Sequence, residues 1–308
     1  MRMDIDMHRD SQARSVRFSA GTAAPRTALP AGACDCHVHV YDSRFPATPG
    51  ARLLPPDASV QDYRALQQRI GTTRTVLVTP STYGTDNACM LDALDQLGDA
   101  ARGVAVVGEE VSADELAHLA ARRVRGLRVN FVSPQSWGTT TPDMLATLAR
   151  KVAEHPACTG WHVQIFAHPE QLIVLAPQLR TLPVPLVIDH LGRIDPAEGP
   201  AAQAYGVMRG LLDGGNTWVK LSGAYMRSTV HGPSYADTLP LGQALVQAAP
   251  ERLVWGSDWP PTTETPGIVN DADLVDLLQA WAGSDAAMDG ILVDNPARLY
   301  GFDTAAPA

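Results

Sequence analysis

Two histidines one residue apart, His37 and His39, close a short apolar run in the stretch ACDCHVHVYD. In an extended strand, residues i and i+2 face the same side. The two imidazoles are therefore expected to point together, with Asp35 below them on the same face. Such a pair suits a metal ion, or an anionic substrate held without one. Asp258, in RLVWGSDWPP, ends another apolar run. A carboxylate there can act as a general base on water. Cover from Trp255 and Trp259 would raise its pKa by desolvation. Its bland alternative is a helix N-cap, although the prolines that follow suit a loop better.

Other polar residues join this set. His190, in VIDHLGR, is read as a hydrogen-bond donor that polarises a substrate carbonyl. Asp189 beside it is expected to point away, anchoring its strand to the helix layer. Arg128 sits inside the otherwise apolar GLRVNF, where a guanidinium needs a partner or an anion. It is either a structural salt bridge or a fork for a substrate carboxylate. Arg227, two residues beyond Tyr225, is a second cation candidate, or a solvated loop arginine. Ser81 and Tyr83 in TPSTYGTDN, Asn130 in GLRVNF and Gln164 in WHVQIF are candidate substrate contacts. Asp86 and Asn87 read as caps of the next helix. His162 shares a face with Gln164 but lies early in its strand.

These residues need a scaffold that brings distant segments to one place. Short β-rich runs occur at 33–41, 74–80, 103–107, 126–131, 160–166, 184–190, 217–222 and 252–258. Helical patterns fall between them, at 60–70, 87–97, 113–121, 142–154, 169–179, 201–212 and 239–248, with 271–282 and 286–299 after the last run. Eight strand–helix units in one chain of this size predict a single-domain (β/α)8 TIM barrel over residues 31–303, class α/β. A doubly wound open sheet fits less well, because no glycine-rich phosphate loop follows the first strand. In a barrel the chemistry lies at the C-terminal strand ends, and nearly every predicted strand ends in a polar residue. Residues 1–30 are expected to be a flexible arm.

The chain has 308 residues, 45% hydrophobic and 19% charged, with a net charge of −9. That balance is globular and argues against nucleic acid or a membrane surface as partner. No apolar stretch has the length of a membrane span, and the N-terminal residues lack the apolar core of a secretory signal. Four irregularly spaced cysteines point to reduced thiols in a cytoplasmic protein.

DCHVHVYD, VIDHLGR, KLSGAY and WGSDWP together resemble the amidohydrolase superfamily, from about residue 33 to 302. The branch is that of the pyrone dicarboxylate lactonases, sulfomuconolactone hydrolases, sugar lactonases and lactone isomerases. The resemblance implies a hydrolase that opens a small carboxylated or hydroxylated lactone. Water activated by Asp258 would attack a carbonyl polarised by His37, His39 and His190, with Arg128 on a ring carboxylate. It also implies that no metal is required, although other members of the branch bind one zinc. His37, His39, His190 and Asp258 could complete a tetrahedral zinc site. The fourth strand lacks the lysine of metal-rich relatives, and His162 is too deep to be a sure ligand. Three alternatives remain: a sugar-acid lactone isomerase on the same site, a zinc-dependent hydrolase or decarboxylase, and a non-catalytic binding barrel. Pairing into homo-oligomers is common for such barrels. The sequence departs from the pyrone dicarboxylate pattern at Pro134, where a second arginine is expected, and at Leu53 or Leu54, where a tyrosine is.

Overall fold

Eight runs rich in β-branched and apolar residues form the strands β1 (Cys34–Val38), β2 (Arg74–Val78), β3 (Ala101–Ala105), β4 (Val124–Asn130), β5 (His162–Phe166), β6 (Leu186–Ile188), β7 (Thr217–Leu221) and β8 (Leu253–Trp255). This computed structural model describes residues 15–132, 140–265 and 267–303. The strands are all parallel and pair in chain order. Past β8 the chain closes the ring against β1. Asp258 N donates to His37 O at 2.9 Å, and His39 N donates to Trp259 O at 2.8 Å. The barrel seam is thus built from the residues singled out for chemistry.

Helices alternate with the strands: α1 (Val60–Ile70), α2 (Ala88–Leu97), α3 (Ala113–Ala121), α4 (Pro142–Glu154), α5 (Pro169–Leu179), α6 (Gln203–Asp213), α7 (Leu239–Ala248) and α8 (Asp271–Ala282). Their starts follow local capping chemistry. Ser59 and Asp62 form a reciprocal capping box at α1. Thr141 accepts from Met144 N at α4, with Pro142 at the first helical position.

Several element ends shift by a residue or two, and two changes have a local cause. The third strand starts two residues early, because a single tight turn at Gly98–Ala100 feeds directly into it. The last helical stretch is broken into α9 (Asp285–Asp289), a π turn (Gly290–Asp294) and α10 (Asn295–Tyr300). Pro296 brings no backbone donor to this stretch. Asn295 also donates to Pro250 O and Leu253 O, tying the segment under β8.

Of the expected arm, residues 1–14 lie outside the described residues. Residues 15–30 lie on the barrel. Val16 is buried, and Phe18 packs edge-on against Trp259. Arg69 bonds Ser19 Oγ and the carbonyls of Ala20 and Gly21, and Asp276 holds Arg26 and Thr27 N.

The β1 register is irregular between Asp35 and Val38. This corrects the expectation that Asp35 shares the histidine face. Asp35 instead accepts from Ser257 N at 2.9 Å, Ser257 Oγ at 2.6 Å and the Tyr63 hydroxyl at 3.3 Å. An irregular strand no longer keeps strict alternation. Gly256 makes the close approach possible: a Cβ there would lie 2.7 Å from His37 N.

Candidate active site

Asp258 is buried at the end of β8, with a left-handed φ of 60°. Its Oδ1 faces three imidazoles: His37 Nε2 at 3.6 Å, His39 Nε2 at 3.6 Å and His190 Nε2 at 3.9 Å. Its Oδ2 accepts from the Tyr225 hydroxyl at 2.6 Å. Burial pushes the Asp258 carboxyl up to about 7, against the opposing pull of Tyr225 and Arg128. The hydroxyl in contact with it is that of Tyr225, a residue sequence reasoning passed over. Trp259 packs against Phe18 and Tyr63.

The histidines are neutral near pH 7. Burial lowers His39 and His190 to about 3 and carries His37 well below the usual imidazole range. His39 Nδ1 lies 2.8 Å from Val78 O. A carbonyl only accepts, so Nδ1 carries the proton and Nε2 presents a lone pair. His190, at a left-handed φ of 51°, bonds Ser222 Oγ through Nδ1 at 2.9 Å. Gly223 lets the ring in, since a Cβ there would lie 2.9 Å from it.

Below these rings lies a second polar layer. Asp189 does not point to the helices, as expected, but into the barrel. Its Oδ2 accepts from Arg128 Nε at 3.0 Å and Gln164 Nε2 at 3.1 Å. Its Oδ1 lies 3.4 Å from His37 Nδ1 and 3.9 Å from Lys220 Nζ. Burial alone would raise Asp189, but the charges of Arg128 and Lys220 oppose it, and the carboxyl is held well below the usual carboxylate range. Lys220, on β7, is fully buried; burial pushes it down to about 8. Its Nζ donates to Cys36 O at 2.8 Å and meets His37 Nδ1 at 3.3 Å. A lysine in KLSGAY was legible as a polar residue in an apolar strand, but its inward direction was not.

A cavity opens above this layer, lined by His39, Tyr41, Leu53, Ser81, Arg128, Asn130, Phe166, His190, Met226 and Asp258, among others. Ser81, Arg128 and Asn130 reach it as expected. Arg128 pairs with Asp189, the structural role considered for it, and it also lines the cavity, its guanidinium 5.1 Å from the Phe166 centroid. Three expected contacts do not reach it. Gln164 is fully buried and spends its amide on Asp189. The Tyr83 hydroxyl is engaged by the backbone of Asp42, in a neighbouring depression. Arg227 pairs with Asp195 and is half exposed. Arg193, by contrast, meets two residues of the cavity wall: it lies 5.0 Å from the Phe166 centroid and contacts Met226. His162 sits deep, edge-on to Tyr300.

His37, His190 and Asp258 offer ligand atoms within 4.8 Å of one another, so a divalent cation has a candidate seat. The donor chemistry fits it poorly. A metal needs the lone pair of His37 Nε2, whereas His37 Nδ1 faces the Lys220 ammonium.

A family model described as amidohydrolase matches residues 34–302. A 2-pyrone-4,6-dicarboxylate hydrolase of Comamonas testosteroni is 35% identical over 91% of this chain and 94% of its own. A 4-sulfomuconolactone hydrolase of Rhizobium radiobacter is 34% identical over 89% and 91%. A D-galactarolactone isomerase of Agrobacterium fabrum is 31% identical over 92% and 96%. The crystal structure of an Agrobacterium tumefaciens protein superposes with a TM-score of 0.83 at 28% identity, covering 94% of this chain and 99% of that one. The strand order, the cavity at the C-terminal strand ends and these likenesses agree: the chain belongs to the amidohydrolase family.

Proposed function

We propose that this protein is a lactone hydrolase that opens the ring of a small carboxylated or hydroxylated lactone without a resident metal. The observation that carries this is Asp258 Oδ1, held within 3.9 Å of three histidine nitrogens at the base of the cavity. Relatives named as lactone hydrolases support it.

Ionised Asp258 and the His39 Nε2 lone pair are both acceptors, 3.6 Å apart. A water molecule can donate one hydrogen to each. This changes the role first read for His39: a nitrogen without a proton cannot polarise a carbonyl, but it can orient the nucleophile. His37 and His190 are left for the carbonyl oxygen. Water attacks the lactone carbon, its proton passes to Asp258, and a tetrahedral oxyanion forms. The ring C–O bond then breaks, and the departing oxygen takes the proton from Asp258. Arg128 holds a ring carboxylate.

The likeness to a galactarolactone isomerase favours a second reading, in which a hydroxyl of the substrate replaces water as nucleophile. Incubation with a panel of acidic and neutral lactones, with products identified by NMR, separates the two. A hydroxy acid product supports hydrolysis; a new ring of the same mass supports isomerisation; no turnover removes both. Four buried cysteines outside any disulfide suit a cytoplasmic setting. Among the described residues no helix is long and apolar enough to cross a membrane.

A further inference from the structure

Lys220 holds an unusual place. It is buried without a trace of exposure beneath the histidines, and it touches neither the cavity nor solvent. Among the described residues its Nζ meets three polar atoms, Cys36 O at 2.8 Å, His37 Nδ1 at 3.3 Å and Asp189 Oδ1 at 3.9 Å, with the Tyr300 ring centroid 6.0 Å away. An ammonium has three hydrogens and no lone pair. Toward it, His37 Nδ1 can only accept. A neutral imidazole that accepts at Nδ1 carries its proton at Nε2, the nitrogen facing Asp258.

The rival arrangement puts the proton on Nδ1, donated to Asp189 Oδ1 at 3.4 Å. That 3.4 Å contact is not a hydrogen bond: Asp189 Oδ1 has no hydrogen-bond partner among the described residues, whereas His37 Nδ1 meets Lys220 Nζ at 3.3 Å. His37 Nε2 has none either, which leaves a buried N–H facing Asp258, a residue that lines the cavity, 3.6 Å from its Oδ1. An unpaired buried donor is costly, so it is retained where a ligand completes it.

We propose that Lys220 is a positioning residue that fixes His37 as a hydrogen-bond donor, setting the site to grip a carbonyl oxygen rather than a divalent cation. The carbonyl part rests on the lactonase reading. The proton position and the metal preference do not. The same three donors, His37, His190 and Asp258, would form a metal seat once His37 Nε2 lost its proton to Nδ1.

The test is long-range 1H–15N correlation NMR on protein labelled at histidine, with His37 assigned by its loss in His37→Gln. Wild type is expected to show the Nε2–H form. Lys220→Met, which keeps length and removes the donor, is expected to switch to Nδ1–H. Chelator-stripped Lys220→Met should then bind one equivalent of added zinc ion at least tenfold more tightly than wild type. Lys220→Arg should retain the wild-type pattern. A wild-type spectrum of the Nδ1–H form overturns the proposal by itself, even if Lys220→Met does not fold. So does a folded Lys220→Met with an unchanged tautomer, or with unchanged zinc affinity. These readouts use no substrate, so a failed lactone panel would leave them standing.

Discussion

Tyr225 donates a 2.6 Å hydrogen bond to one oxygen of Asp258, while the other oxygen faces the three histidines. One oxygen is held and the other is left to work. A hydrogen bond to the ionised form favours that form, so Tyr225 limits how far burial raises the carboxyl. A general base acts only when ionised. Since Asp258 is pushed up to about 7, kcat/KM is expected to rise through about pH 7 and level off above it. Tyr225→Phe removes the opposing pull and should move that rise to higher pH by about one to two units. A pH profile that stays in place would take Tyr225 out of this role.

Asp258→Asn keeps the shape and loses the ability to take a proton. We expect kcat to fall by about 10²–10⁴-fold with an unchanged fold. The measurement is steady-state turnover beside circular dichroism. Activity within threefold of wild type in a folded variant would point to another base.

The barrel was readable because its period was. Eight apolar runs separated by helical patterns leave few topologies, and five of the first seven helices were expected with the bounds they have. The residues above the barrel were also readable, since His37, His39, His190 and Asp258 are polar at the ends of apolar runs. The layer beneath was not. Asp189 was expected to turn outward because it neighbours His190, yet both reach inward, the chain passing through left-handed φ values at His190, Leu191 and Arg193. Asp35 and His37 were expected to share a face, and the β1 irregularity parted them. Alternation arguments fail where a strand leaves regular geometry, which is where this site is built. Arg193, in the short turn after β6, was passed over, because loop cations cannot be placed by strand alternation.

Asp35 ties the end of β8 to β1 through both the amide and the hydroxyl of Ser257. The carboxylate is fully buried, so each lost partner is felt. Ser257→Ala removes one charge-assisted bond and is expected to cost about 1–3 kcal/mol of stability. Denaturant unfolding monitored by tryptophan fluorescence measures it. A midpoint unchanged from wild type would mean that Tyr63 and the Ser257 amide suffice for Asp35.

The substrate's charge is the most exposed consequence of the cavity wall. The pyrone dicarboxylate pattern has a tyrosine at Leu53 or Leu54; Leu53 lines the cavity, and Leu54 is 66% exposed. Pro134, which replaces the second arginine of that pattern, lies outside the described residues and has no side-chain donor. A second carboxylate near Leu53 would lose water and gain no partner there, which is costly. The expected substrate therefore carries one carboxylate, or hydroxyls in place of the second. Arg128→Met tests this, but the variant also strips Asp189 of its 3.0 Å partner. Part of its effect will thus appear with every substrate. The informative quantity is a ratio: KM for a monoacid lactone should rise at least tenfold more than KM for a neutral lactone of the same ring size. Paired kinetics on a monoacid, a diacid and a neutral sugar lactone supply it. If the pyrone dicarboxylate gives the highest kcat/KM of the three, the argument from Leu53 and Pro134 fails. Arg193, which meets Phe166 and Met226 of the cavity wall, is then the cation to replace next.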